Sequence, residues 1–113
     1  MSSKKDTRVY LRDMLYQIEI IESELPAISR EEFMARPFYQ NAMIRSIEVM
    51  GEAVKNIPDS YKQEHPDVPW KQIAGTRDKL IHGYAAIDLA QIWNILQRDV
   101  PSLKHAVLTL LTE

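Results

Sequence analysis

The eight residues Arg77-Asp78-Lys79-Leu80-Ile81-His82-Gly83-Tyr84 hold a guanidinium that keeps its charge at any ordinary pH, an imidazole and a phenol. These are the types that metal-free cleavage of RNA needs. A base must take the proton of the 2′-hydroxyl, an acid must supply one to the departing 5′-oxygen, and a cation must meet the charge that builds on phosphorus. Histidine suits the first two tasks. Arginine suits the third, because its fork pairs bidentately with phosphate oxygens. Arg77 and His82 are therefore the candidate catalytic residues, and the Tyr84 hydroxyl beside them is a candidate for modification or substrate contact, or else a core or interface residue.

Spacing raises an objection. Five residues along an ideal helix turn through about 500°, which leaves the Arg77 and His82 side chains about 140° apart. Either the helix is distorted near His82, with the long arginine reaching round, or the site is assembled from two copies across a two-fold axis. The second arrangement is preferred, since it also brings two histidines together, one as base and one as acid. The plainer alternative keeps His82 as a partner of the helix dipole and Arg77 as an ion-pair residue near Asp78, because an Arg-x4-His spacing alone is a short pattern.

The elements that must position these residues read as helices. Trp70 to His82 forms one, with Gly83 expected as the left-handed residue that ends it, and Asp88 with Gln91 as the capping pair of the next. Upstream, Leu11, Met14, Leu15, Ile18, Ile21 and Leu25 mark an amphipathic helix from about Asp6 to Leu25, stopped by Pro26. Ser29 to Glu32 has the capping-box pattern and starts a short helix through Phe33 and Met34, which Pro37 bounds. Phe38 to Asn56 is the second long helix, with Ala42, Met43, Ile47, Met50 and Val54 toward the core. Gly51 in its middle costs roughly 1 kcal/mol against alanine, which implies close approach by a neighbour.

The connection from Ile57 to Pro69 holds at most one helical turn, at Asp59 to Glu64. After the Gly83-Tyr84 break, helix resumes at Asp88 with Leu89, Ile92, Trp93 and Leu96 inward. Val100-Pro101 is a kink or a restart, and Leu103, Val107, Leu110 and Leu111 continue the apolar side. No stretch alternates like a strand. The fold class is all-α: a single domain over residues 1–113, an up-and-down bundle of four to five helices.

Composition narrows the function. With no cysteine there is no disulfide, thiolate metal site or cysteine nucleophile, and a net charge of −2 argues against coating nucleic acid by bulk electrostatics. A local basic cleft stays open. Charges at Lys4, Lys5, Asp6, Arg8, Arg12 and Asp13 interrupt any secretory signal, and nothing reaches membrane-spanning length, so a cytoplasmic location is expected. Glu19, Glu22, Glu48 and Glu52 lack the Glu-x-x-His of a carboxylate di-metal bundle, and three separated histidines make a poor zinc site. His65 and His105 read as structural or solvent-facing, and Trp70 and Trp93 as core. Three scattered glycines exclude the usual nucleoside triphosphate loops, so neither metal nor cofactor is expected.

The stretch from Arg77 to Tyr84 resembles the Arg-x4-His-x-Tyr motif of the HEPN superfamily, specifically the HepT-like toxins encoded beside minimal nucleotidyltransferase antitoxins. The likeness extends through Ala42 to Ala53, Pro66 to Arg77, and Tyr84 through Asp88 and Trp93, so it covers essentially the whole chain. It implies a bundle that forms a symmetric homodimer, alone or within a larger hetero-oligomer, with Arg77 and His82 of both protomers lining a cleft that cuts RNA without metal. It further implies that Tyr84 accepts AMP from ATP through the nucleotidyltransferase partner, which silences the toxin. Arg45, Asp78 and Lys79 are supporting or phosphate-contact candidates; Arg45 and Glu52 are both candidates for supporting the cleft or the bundle, with Arg45 ranked above Glu52 as the phosphate contact. The alternative is a non-catalytic helical dimer that binds a minimal nucleotidyltransferase, favoured by the modest negative charge.

Overall fold

The computed structural model describes residues 6–83 and 87–113, so Tyr84 lies outside the described residues. Among these the chain is helical without strands: α1 (Thr7–Glu24), a 3₁₀ turn at Leu25–Ala27, α2 (Arg30–Ala35), α3 (Pro37–Asn56), α4 (Asp59–Glu64), α5 (Trp70–His82), α6 (Leu89–Asn94), a π-helical stretch at Ile95–Asp99, and α7 (Val100–Leu111). α6, the π stretch and α7 follow without a gap and form one rod. Four long rods result, joined by short helices, and the seven helical segments exceed the four or five expected because α2, α4 and the divided last rod add to the count.

α3 is the central member. It packs against α1 and α5, while α1 also packs against α7. Leu11, Met14, Ile18 and Ile21 of α1 are fully buried and meet a broad apolar face of α3 that includes Met43, Ile47, Met50 and Val54. Ala42, expected inward, is exposed. A helix flanked on two sides buries Ile44, Ser46 and Ala53 as well, and that wider face is centred so that position 42 falls outside it. Leu15 and Leu25 of the first stretch are only partly buried.

The helix ends follow local chemistry. Ser29 and Glu32 make both halves of a capping box, at 3.0 and 3.1 Å, and start the helix that buries Phe33 against the Trp93 ring, centroids 5.4 Å apart. Pro37 occupies the first position of α3, where its missing N–H is no loss. The Asp88 carboxylate accepts from the Ala90 and Gln91 N–H groups at 3.0 and 3.2 Å and starts α6.

Two boundaries differ from expectation in cause. Gly83 ends α5 with φ −120° and ψ 37°, not in the left-handed region. Its N–H closes an ordinary bond to the Lys79 carbonyl at 2.8 Å, and a Cβ there would stand 3.1 Å from the same oxygen, so room for the carbonyl is what glycine supplies. At Pro101 the rod continues without a gap. It widens beforehand, and the Val100 N–H reaches the Ile95 carbonyl five residues back. Proline lacks an N–H and its ring crowds the carbonyl four residues earlier; the wider turns relieve that crowding.

Candidate active site

Arg77 sits on the seam between α5 and α3, and Gly51 is what lets it lie there. A Cβ on Gly51 would collide with Arg77 Cβ, stand 2.9 Å from Arg77 Cγ and lie 3.2 Å from the Ile73 carbonyl oxygen. The close neighbour that a mid-helix glycine implied is thus the stem of the candidate arginine. Its head meets two carboxylates: Nη2 lies 2.8 Å from Glu52 Oε2, and Nη1 lies 3.1 Å from Asp78 Oδ1. Asp78 Oδ1 also accepts from Lys55 Nζ at 2.8 Å. Charges therefore alternate from Glu52 to Arg77 to Asp78 to Lys55 across the two helices. The hydrogen bonds from Lys55 and then Arg77 hold the Asp78 carboxyl below its ordinary range, against a smaller opposing effect of burial. Arg77 Nε is buried and has no hydrogen-bond partner among the described residues.

The Arg77 side chain is 22% exposed. His82 is exposed, in the last turn of the same helix. α5 stays α-helical from Trp70 to His82, so no distortion of the backbone swings the two side chains together. Of the other candidates, Asp78 belongs to the cluster, and Lys79 is exposed on α5. Arg45 lies on α3 with its side chain 74% exposed, 3.6 Å from Glu48. Of Arg45 and Glu52, both candidates for supporting the cleft, Glu52 is the one that touches the guanidinium. Lys55, not singled out by sequence, closes the cluster. The available signal was a close-approach glycine followed at once by a carboxylate, with a lysine three residues on.

Other carboxylates are engaged elsewhere. Glu22 pairs with Lys104 at 2.7 Å, joining α1 to α7 and raising the Lys104 pKa through that hydrogen bond. Among the described residues no group of three or more His, Cys, Asp or Glu side chains is placed to hold a metal ion. His65 is partly buried, its ring tilted 40° against that of Tyr61 with centroids 4.5 Å apart and its carbonyl accepting from Trp70 Nε1 at 2.9 Å. His105 is exposed. Trp70 is buried and Trp93 partly buried, both in the core. A cavity of about 250 Å³ opens between α3, α5 and the last rod; its lining, which includes Ile47, Met50, Ile73 and Leu103, does not include Arg77 or His82.

The family described as ribonuclease HepT-like matches this chain over residues 14–110. The chain belongs to the HepT-like ribonuclease family. Within that family it is 43% identical over 101 residues to the "Probable ribonuclease HepT" of Thermococcus cleftensis, covering 89% of this chain and 92% of that protein. A protein of Caldanaerobacter subterraneus subsp. tengcongensis, also named for RNase activity, is 41% identical over 103 residues, covering 91% of this chain and 92% of its own length. A Methanocaldococcus jannaschii protein, whose name joins a gamma-glutamylcyclotransferase to an RNase, is 37% identical over 110 residues. That alignment takes in 97% of this chain and spans half the length of the relative. No solved structure gives a significant match. Among the described residues of this HepT-like chain, no helix is long and apolar enough to cross a membrane.

Proposed function

We propose that this chain is the toxin subunit of a toxin–antitoxin pair, a metal-independent endoribonuclease that acts through Arg77 and His82 at the cleft of a homodimer. Family membership supports RNA as the substrate. The observation that carries the chemical reading is Arg77 itself: a guanidinium seated between two carboxylates on the helix whose last turn exposes His82. One His82 takes the 2′-hydroxyl proton as the 2′-oxygen attacks phosphorus. The bond from phosphorus to the 5′-oxygen breaks, and the partner subunit's His82 gives that oxygen a proton, leaving a 2′,3′-cyclic phosphate and a 5′-hydroxyl. Arg77 offsets the negative charge that peaks on the phosphoryl oxygens between these states.

Silencing is assigned to Tyr84. A minimal nucleotidyltransferase antitoxin transfers AMP from ATP to the phenol oxygen, with pyrophosphate as leaving group. The added phosphate brings negative charge and bulk two residues from His82, where it competes with substrate phosphate.

Incubation with RNA in the presence of a chelator tests both parts. Wild type is expected to cleave, and His82→Ala to lose at least about 100-fold, the lower end of what general acid–base catalysis supplies. Prior incubation with the nucleotidyltransferase and ATP should stop cleavage and add AMP at Tyr84, read by mass spectrometry. Failure of wild type to cleave, or full activity in His82→Ala, removes the enzymatic reading, and an adduct at another residue removes the Tyr84 assignment. The second reading is a non-catalytic dimer that holds the nucleotidyltransferase. The modest net charge of −2 favours it, and it predicts a stable complex unaffected by Arg77→Ala or His82→Ala, with no cleavage.

A further inference from the structure

We infer that Glu52 is a positioning residue for RNA cleavage: it fastens the Arg77 guanidinium to α3, in the orientation that presents the terminal nitrogens to a phosphate. The inference rests on the endoribonuclease reading above.

The argument starts with the shape of the seat. The Arg77 stem is fixed at Gly51, where the two helices come so close that no side-chain carbon fits between them. Three torsions remain between that anchor and the charged plane, and a stem contact does not fix the outer ones. The head is fixed by its ion pairs. Of these, Asp78 is the next residue on the same helix and shares its oxygen with Lys55 of α3, so it holds the head to α3 only indirectly. Glu52 reaches from the other helix, at the shorter distance of 2.8 Å, and so ties the head to α3.

The sealed Nε makes this orientation consequential. Because Nε is buried, a phosphate reaches the guanidinium only through Nη1 and Nη2. Each carries two hydrogens; Nη1 donates one to Asp78, while the Glu52 contact at Nη2 is an ion pair, so both terminal nitrogens keep a hydrogen for a bidentate grip. Rotation of the plane would turn that edge away without altering the charge. Glu52 thus acts on the reaction through Arg77 and not by touching substrate.

Two rival roles make opposite forecasts. If Glu52 merely competed with phosphate for Arg77, its removal would speed cleavage. If it were only a clip between helices, its loss would lower stability and act on the rate equally with or without Arg77.

The full chain is assayed on an RNA oligonucleotide under single-turnover conditions as wild type, Glu52→Gln, Glu52→Ala, Arg77→Ala and the Glu52→Ala/Arg77→Ala pair. The expected result is a loss of about 10- to 100-fold in the rate of the bound complex for Glu52→Ala, with a smaller loss for Glu52→Gln, in line with the effect of misplacing a catalytic group by about an ångström. In the Arg77→Ala background, Glu52→Ala should add no further loss. A gain in rate, or the same loss in both backgrounds, overturns the proposal. A second readout is independent of activity: the Arg77 Nε–H resonance should exchange slowly in wild type and quickly in Glu52→Gln. If wild type does not cleave RNA, the endoribonuclease reading has failed, and the exchange measurement alone decides whether Glu52 orients Arg77; unchanged protection refutes it.

Discussion

Gly51 and Gly75 lie inside facing helices, yet their surroundings differ, and that difference decides what an added methyl does. At Gly75 nothing stands within 4 Å of the new carbon. Gly75→Ala should therefore show only the gain in helix propensity, about 0.5–1 kcal/mol of added stability. At Gly51 the methyl meets Arg77 Cβ and the Ile73 carbonyl, neither of which is the far end of a flexible chain. Helices must part, at an overpacking cost of roughly 1–3 kcal/mol that outweighs the propensity gain. Gly51→Ala should lower stability and, by shifting the Arg77 stem, lower RNA cleavage as well. Chemical denaturation of the two variants beside wild type checks the opposite signs. Sequence shows that Gly51 must admit a neighbour, since a glycine there is otherwise unfavourable. It does not show that the neighbour is Arg77, because that contact spans two helices whose relative rotation is set by the whole core. Glu52 and Lys55 were hard to rank for the same reason: a carboxylate and an amine on an exposed helix face look alike whether or not a guanidinium faces them.

At the scale of elements, α5 carries the candidate residues and is held mainly by α3, partly through the Lys55–Asp78 contact. That contact gives a sign for pH. The Asp78 carboxyl is held below its ordinary value of 3.8 by Lys55 and Arg77 in the folded chain. A carboxyl with a depressed folded pKa contributes stability that is fully present above 3.8 and is lost as pH falls through the lower folded value. The melting temperatures of wild type and Asp78→Asn should thus differ most near neutral pH and converge in acid below 3.8, in a series run at low salt. A difference that stays constant through that range would show that the carboxylate charge is not what links the helices. The limits of α5 itself are legible from Pro69 before it and Gly83 after it, and those of α2 and α6 from their caps. The π stretch before Pro101 is not. Proline announces a disturbance, but whether the rod kinks, stops or widens depends on keeping Val100, Leu103 and Val107 turned toward the core, which is a tertiary demand.

For the whole molecule, the question is how many chains make one site. α5 is continuous, so the five-residue step leaves the Arg77 and His82 directions about 140° apart, and the structure seats Arg77 against α3 while His82 faces solvent. A single chain presents one histidine here, whereas the proposed reaction uses a base and an acid. A cleft on a two-fold axis supplies both, one from each protomer. That arrangement has a consequence that a site contained in one protomer does not share. Wild type is mixed with increasing His82→Ala chain under conditions that let subunits exchange, and cleavage is expressed per wild-type chain. At a ninefold excess, random pairing leaves about a tenth of wild-type chains partnered with each other, the rest being in mixed dimers with one histidine. With a shared cleft, activity per wild-type chain should fall toward that tenth; with independent sites it should not change. Sequence carries this expectation through the family resemblance and the geometry of one helix, since an interface formed by rotating the chain onto itself leaves no spacing rule to read. A flat titration would return both catalytic roles to the histidine of a single chain.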